Sequence, residues 1–191
     1  MKKTVALLMA PGFEDAETII TLDVLRRFRQ HITVETIAVH DTHEVLSYFN
    51  VPMKAEALLS EREDTLYDAV VLPGGPQGAR NLGASAAVLR FVRQHDQAGR
   101  IVAAICSAGA HVLSQNGLLQ GRRYTCSGEN YKLYQDGQYE DADIVEDGNL
   151  LTGRGLGLAF RFAFTLGAKL SDTATATEAA DHIYIEYPAQ A

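Results

Sequence analysis

The sequence predicts an α/β fold with a mostly parallel central sheet, and three observations support this. Short runs rich in Val, Ile, Leu and Ala recur, Gly or Pro stands close behind most of them, and a helical pattern comes next. Continuously apolar runs are typical of parallel strands buried on both faces, and their alternation with helices indicates βα units. A chain of 191 residues can bury one full core, so a single domain over residues 1–191 is expected.

Four of these runs are predicted strands, and a helix is predicted directly after the first. The strands are expected at residues 4–10, 32–39, 68–73 and 100–106. Pro11-Gly12 follows the first strand, and apolar residues then recur at steps of three and four, which predicts an amphipathic helix of about 17 residues. The apolar residues of that helix are Phe13, Ala16, Ile20, Val24 and Phe28.

The third and fourth strands are also followed by turns and helices. The run PGGP at residues 73–76 predicts a sharp turn before a second helix, which Gly99 is expected to end in the C′ position. The apolar stripe of this helix consists of Val88, Phe91 and Val92. After the fourth strand, a helix is predicted from about Ser107 to Asn116-Gly117.

Shorter signals predict the remaining elements. Between the second and third strands, VLSYFN and VPMKAEA alternate in polarity and predict a strand pair. Asp147-Gly148, between DIVED and NLLTG, predicts a β-hairpin. A further helix is marked by Leu158, Phe162 and Leu166, and Ser171 or Asp172 is expected to cap a last one.

Composition argues against several classes of function. The chain carries 17 basic and 24 acidic side chains, a net charge of −7, which argues against nucleic acid or an anionic membrane as the main partner. No apolar stretch approaches the roughly 18 residues of a membrane span, and a cytoplasmic location is expected. The two cysteines form no CxxC motif and the six histidines no HExxH motif, so neither a disulfide scaffold nor a metal or other cofactor is expected.

Cys106 stands at the predicted junction between the fourth strand and the next helix, at the edge where open α/β sheets bind ligands. In a nucleophile elbow, the residues two positions before and after the nucleophile must be small, because strand and helix pass close together. Here those residues are Ala104 and Ala108. Cys106 is therefore either a small core residue or an exposed nucleophile, and the elbow pattern favours the nucleophile.

A nucleophilic role requires the thiol of Cys106 to ionise. The helix after the elbow would place N–H groups and a partial positive charge beside the sulfur, which lowers the pKa of a thiol. The same N–H groups could form an oxyanion hole, and the turn at Gly74-Gly75 could add another donor. A lowered pKa of Cys106 is therefore expected.

Three carboxylates, Glu14, Asp15 and Glu17, open the first predicted helix. Acidic side chains in a first turn often do no more than complement the helix dipole. Glu17, however, lies near the apolar positions of the helix, so it could instead point inward at the sheet edge that holds Cys106.

Four segments, LMAPGFEDAET, VVLPGG, RIVAAICSAG and LLTGRGLG, occur in this order over about residues 3–170. Together they resemble the ThiJ/PfpI superfamily, and within it the parkinsonism-associated protein deglycase family. The resemblance implies a flavodoxin-like three-layer sandwich, usually assembled as a homodimer. It also implies that Cys106 is the reactive elbow cysteine, that Glu17 contacts its sulfur, and that Gly75 and Ser107 supply backbone donors around it.

The chain departs from the resembled family at several positions. Ser107 stands where the protease-like branch has a histidine, which makes a cysteine protease the least favoured activity. Cys126 aligns with a histidine of many deglycase-type relatives. It is either a resolving thiol that captures oxidised Cys106 as a disulfide or an ordinary half-buried strand residue. His111 is expected to be a surface or packing residue, and Tyr48 lies where relatives often place an arginine.

Three functions remain open. The first is a cysteine-dependent glyoxalase or deglycase with a stress-protective role, acting on methylglyoxal-like oxoaldehydes or glycated groups, with Cys106 as nucleophile and Glu17 as acid/base. Because a carboxylate and a thiolate repel each other, this pair is expected to share one proton. The second is a thiol-based oxidative-stress sensor or redox-regulated chaperone that uses oxidation of Cys106 as a switch. The third is a scaffold without chemistry.

Overall fold

Strands and helices alternate along residues 1–187, the part of the chain described by a computed structural model. The strands are β1 (Lys3–Met9), β2 (Ile32–Ala38), β3 (Glu44–Leu46), β4 (Pro52–Lys54), β5 (Ala57–Leu58), β6 (Ala69–Leu72), β7 (Ile101–Ile105), β8 (Arg123–Tyr124), β9 (Gln138–Tyr139), β10 (Ile144–Asp147) and β11 (Leu150–Gly153). The α-helices are α1 (Asp15–Arg27), α2 (Pro76–Ala84), α3 (Ala86–Gln97), α4 (Ala159–Leu170) and α5 (Thr173–Asp181).

The central sheet has seven strands in the order β10-β11-β7-β6-β1-β2-β5. Every neighbouring pair is parallel except β10 and β11, which form the hairpin predicted around Gly148. Successive side chains of β1 point to opposite faces, so Val5 and Leu7 enter one core while Ala6 and Leu8 enter the other. Helices α1, α4 and α5 cover the first face, and α2 and α3 cover the second. The predicted three-layer α/β fold with a mostly parallel sheet is confirmed.

Two helices differ from their predicted extents. Helix α1 has 13 residues instead of about 17, because Phe13 still lies in the turn and pairs with Ser47 before the helix begins. The predicted second helix is two helices, α2 and α3, separated at Ser85. The backbone of Ser85 is extended, and its hydroxyl accepts a hydrogen bond from the Val88 N–H, so this residue starts a new helix instead of continuing the first.

The segment after β7 is helical over the predicted length, but it is not a regular α-helix. It forms a π-helical turn at Gly109–Leu113 and a 3-10 turn at Ser114–Asn116. The turn is packed tightly: a Cβ added at Gly109 would lie 2.7 Å from the Thr125 carbonyl oxygen, and one at Gly83 only 2.1 Å from that of His111. The helix N-terminus expected beside Cys106 is therefore the start of an irregular helical segment and not of a regular α-helix.

The smaller predicted elements are present. Strands β3 and β4 form the antiparallel pair expected between β2 and β6. Asp172 caps α5 by accepting a hydrogen bond from the Thr175 N–H. None of the helices within residues 1–187 is both long and apolar enough to cross a membrane.

Candidate active site

Cys106 follows β7 directly, at the carboxyl edge of the central sheet. Its φ is +61°, a left-handed conformation that costs a non-glycine residue about 1–2 kcal/mol. Ala104 and Ala108, the small residues of the predicted elbow, are both completely buried. Cys106 as a whole residue is partly exposed. The chain thus has the strained strand-to-helix turn that a nucleophile elbow requires.

Glu17 reaches the same point from α1, on which its side chain is completely buried. Its Oε2 accepts a hydrogen bond from the Gly74 N–H at 2.9 Å, and its carboxyl group interacts with the Cys106 thiol. Gly74 must be a glycine, because an added Cβ would lie 2.6 Å from Cβ of Cys106 and 2.7 Å from Oε2 of Glu17. The inward position considered for Glu17 is therefore the one it occupies.

The electrostatics of this pair contradict one expectation from the sequence. Burial raises the pKa of Glu17 to about 7. Burial, followed by the charge of Glu17, raises the pKa of Cys106 to about 11, although the Ser127 side chain and the Ser107 N–H oppose the shift. The lowered thiol pKa expected from a helix dipole is wrong, because burial and the adjacent Glu17 carboxylate outweigh the Ser107 N–H that opposes them. Between about pH 7 and pH 11, the Cys106–Glu17 pair shares one proton.

Gly75 and Ser107, the two predicted backbone donors, lie side by side. Ser107 directs its N–H at the sulfur of Cys106 and donates its hydroxyl to the Gly75 carbonyl at 3.3 Å. Gly75 is the N-cap residue of α2, with φ of +93°. Within residues 1–187 its N–H has no hydrogen-bond acceptor. It is therefore free to donate to a bound molecule.

Replacing Gly75 with alanine is expected to destabilise the fold by about 2–3 kcal/mol, measured by urea unfolding. The new Cβ would lie 2.4 Å from the Gly12 carbonyl oxygen, at a φ that suits only glycine. Gly157→Ala is the matched control, because no atom lies within 4 Å of an added Cβ there. Its effect should stay within about 0.5 kcal/mol. Equal effects of the two substitutions would contradict this packing argument.

Two residues of the site lack a clear signal in the sequence. Ser127 donates its N–H to the Cys106 carbonyl at 3.3 Å, and its side chain interacts with the thiol. It comes from the loop after β8, a contact that only the folded chain creates. Gly155 lies beside the sulfur, since an added Cβ would be 3.9 Å from it. This glycine belongs to the segment LLTGRGLG, but nothing in its spacing indicates contact with Cys106.

Three other residues singled out in the sequence do not belong to the Cys106–Glu17 pair. They are Cys126, His111 and Tyr48. Cys126 is completely buried in the core on the α2–α3 face, and burial raises its pKa to about 12. It is neither half-buried nor within a strand, and both thiols are free. His111 is a buried packing residue whose ring lies 3.1 Å from the Tyr134 hydroxyl. Tyr48 is exposed on the β3–β4 turn.

Among residues 1–187, no group of three or more His, Cys, Asp or Glu side chains is placed to hold a metal ion.

Comparison with known proteins matches residues 3–169 to the model of the DJ-1/PfpI family. The chain belongs to the DJ-1/PfpI family. The resemblance inferred from the four sequence segments is therefore confirmed, and solved structures of the DJ-1 superfamily have the same fold. One of these is a cysteine-to-alanine mutant of the DJ-1 superfamily protein STM1931 from Salmonella typhimurium. It is 54% identical, covers 97% of this chain and 100% of its own, and has a TM-score of 0.94.

Two curated DJ-1/PfpI relatives extend the comparison. Protein dj-1beta of Drosophila melanogaster is 32% identical over 189 residues, which covers 98% of this chain and 100% of the relative. The glutathione-independent glyoxalase DJR-1.2 of Caenorhabditis elegans is 27% identical over 167 residues, which covers 86% of this chain and 87% of the relative. The family thus includes a relative named for glyoxalase activity.

Proposed function

We propose that the protein is a glutathione-independent glyoxalase that converts methylglyoxal-like oxoaldehydes to 2-hydroxy acids. One observation carries the proposal: a completely buried carboxyl group, Glu17, is held against the thiol of an elbow cysteine, Cys106. The chemistry needs a soft nucleophile for the aldehyde and an acid/base for the rearrangement that follows. The relative named as a glutathione-independent glyoxalase supports the same assignment.

The first step forms a covalent adduct. The Cys106 sulfur bonds to the aldehyde carbon while the proton of the pair passes through Glu17 to the carbonyl oxygen, which gives a hemithioacetal. The raised pKa of Glu17, about 7, makes this carboxyl group able both to take the thiol proton and to release it again near neutral pH. The N–H groups of Ser107 and Gly75 stabilise negative charge that develops on the substrate oxygen.

The second step moves a proton between carbons. Glu17, now a carboxylate, removes the proton from the carbon bonded to sulfur and leaves an enediolate with its negative charge on the former ketone oxygen. The hydroxyl proton of the former aldehyde oxygen moves to that oxygen, and Glu17 returns a proton to the neighbouring carbon, which gives a 2-hydroxyacyl thioester. Water hydrolyses the thioester to the hydroxy acid and free Cys106. The overall change adds one water to the oxoaldehyde, without an external oxidant or reductant. The Gly74 N–H fixes Glu17 through Oε2 and leaves Oε1 free for this work.

The direct test is the production of D-lactate from methylglyoxal without glutathione. Wild-type protein is expected to form lactate, and Cys126→Ala is expected to retain the rate within about threefold, because Cys126 lies in the other core. A wild-type rate no higher than that of Cys106→Ala would overturn the proposal. A second assay supplies glycated amines in place of free methylglyoxal and measures the free aldehyde in parallel. It distinguishes deglycase action on the adduct from removal of the free aldehyde.

A redox sensor is the second candidate, because Cys106 is a partly exposed residue whose free thiol lies beside a carboxyl group that can donate to an oxidised sulfur. Peroxide would convert the thiol to a sulfenic acid and then to a sulfinic acid, with a mass gain of about 32 Da. Capture of the sulfenic acid by Cys126 would instead release water and leave the protein two hydrogens lighter. Intact mass after peroxide titration distinguishes the products, and an unreactive Cys106 would contradict the sensor.

A further inference from the structure

The proposed rearrangement leaves a proton on a group that solvent does not reach. The Glu17 side chain is completely buried, and its Oε2 is committed to the Gly74 N–H. Its Oε1 is also buried and has no hydrogen-bond partner among residues 1–187. A buried unpaired carboxylate oxygen is costly, so this atom is an acceptor that a proton donor could satisfy.

Glu14 is the glutamate that precedes Glu17, three residues earlier at the N-cap of α1. Residues at an N-cap usually accept a hydrogen bond from the first turn of the helix, but the Glu14 side chain makes no such bond. Within residues 1–187 it also has no ion pair or other side-chain hydrogen bond. Its side chain is partly exposed, so one end of it meets solvent.

Gly74 contacts both glutamates, Glu14 through its backbone and Glu17 through its carboxyl group. The Glu14 N–H donates to the Gly74 carbonyl at 3.1 Å, and the Gly74 N–H donates to Oε2 of Glu17 at 2.9 Å. The two carboxyl groups interact electrostatically, since the charge of Glu14 contributes to the raised pKa of Glu17. Burial and the neighbouring Asp15 also raise the pKa of Glu14 itself, which brings it nearer to that of Glu17.

Asp15 is placed differently, although it is adjacent. Its carboxylate accepts hydrogen bonds from the Ser47 hydroxyl and the Phe49 N–H, which attach the β3–β4 turn to the start of α1. It is therefore committed to structure, while Glu14 is not.

We propose that Glu14 transfers protons between solvent and Oε1 of Glu17, and so lets the buried acid/base exchange its proton during the glyoxalase reaction. Glu14 acts through Glu17 and does not touch the substrate. The inference rests on the proposed function. When Glu17 takes the proton from the carbon bonded to sulfur, Glu14 replaces it with one from solvent before the neighbouring carbon is protonated.

Isotope content of the product tests this role. In D2O, wild-type protein is expected to convert methylglyoxal into lactate that carries mostly deuterium at C2, as measured by proton NMR. In Glu14→Gln, the proton removed from the substrate stays on Glu17 until it is delivered to the neighbouring carbon. The protium content at C2 of lactate should therefore be at least about threefold that of the wild-type product. A residue that only supported the fold would change the rate without changing this ratio.

Asp15→Asn is the matched control, and its protium content should equal that of wild type. The relay would be overturned if Glu14→Gln and wild type left the same protium content at C2 of lactate. It would also be overturned if Asp15→Asn raised that protium content as much as Glu14→Gln does. Full retention of protium by wild type would overturn it as well. Absence of lactate from wild type would instead refute the proposed glyoxalase and the relay with it. The rate of Cys106 alkylation in Glu14→Gln confirms that the elbow is intact.

Discussion

Replacing Cys106 with alanine is expected to lower lactate formation from methylglyoxal by at least about 1,000-fold. The sulfur is the atom that bonds to the aldehyde in the proposed reaction, and Cys126 cannot take its place because it is completely buried in the other core. The measurement is kcat/KM for D-lactate without glutathione. Residual activity within tenfold of wild type would show that the chemistry does not use this thiol.

The same position offers a test of the elbow strain. Cys106→Gly should be as inactive as Cys106→Ala but more stable by about 1 kcal/mol in urea, because φ at this position is +61°. Alanine keeps the unfavourable left-handed conformation, and glycine adopts it without a Cβ clash. If the alanine variant proved the more stable of the two, the turn would not be strained as the structure has it.

Replacing Glu17 with glutamine is expected to have two effects of opposite sign. The rate of lactate formation should fall by about 100- to 10,000-fold, because glutamine can neither take nor release a proton. The amide oxygen can still accept the Gly74 N–H, so the position of the side chain is retained. The protein should at the same time become more stable near pH 8, since a buried ionisable group has been removed.

The pH dependence of this stability follows from the raised pKa of Glu17. The folded protein keeps the proton up to about pH 7, while the unfolded chain releases it above about pH 4.5. The folded state of wild type therefore binds more protons across this window, and its stability falls as pH rises through it. Glu17→Gln should exceed wild type by about 3 kcal/mol at pH 8 and by close to zero at pH 4.

Urea unfolding of both proteins at the two pH values measures this difference. Glu44→Gln is the control, because Glu44 is exposed at the start of β3, and surface substitutions of this kind usually change stability by no more than about 0.5 kcal/mol. A Glu17→Gln variant less stable than wild type at pH 8 would show that the carboxylate is stabilised rather than strained by its surroundings. Loss of activity together with loss of stability would then point to a structural role.

Most of the fold could be predicted because its signals are local. The apolar runs that became β1, β6 and β7 are bounded by turn residues, and Ala104 and Ala108 mark the elbow by their size alone. The division of the second helix was missed because its predicted apolar stripe, Val88, Phe91 and Val92, lies wholly within α3 and does not locate the boundary at Ser85. The extended backbone and capping hydroxyl of Ser85 begin α3 there.

The site could be predicted only in part. Glu17 was identified from its place near an apolar helix face, but the raised pKa values depend on α1 packing its carboxyl group against the end of β7, which no local pattern contains. Ser127 approaches the thiol from a distant loop, so its contact follows from the complete fold. Burial and long-range contacts decide the charge state of the site, and the sequence specifies these only through the folded structure.

The strain at Cys106 and the burial of Glu17 have a consequence for selection. Both features oppose stability, and a single substitution relieves each of them: glycine for Cys106 and glutamine for Glu17. A laboratory screen that selects only for thermal stability would therefore enrich these two substitutions, and the selected variants would lack the proposed activity. A related sequence that carries either change is expected to keep the fold and to lack the reaction proposed for Cys106 and Glu17.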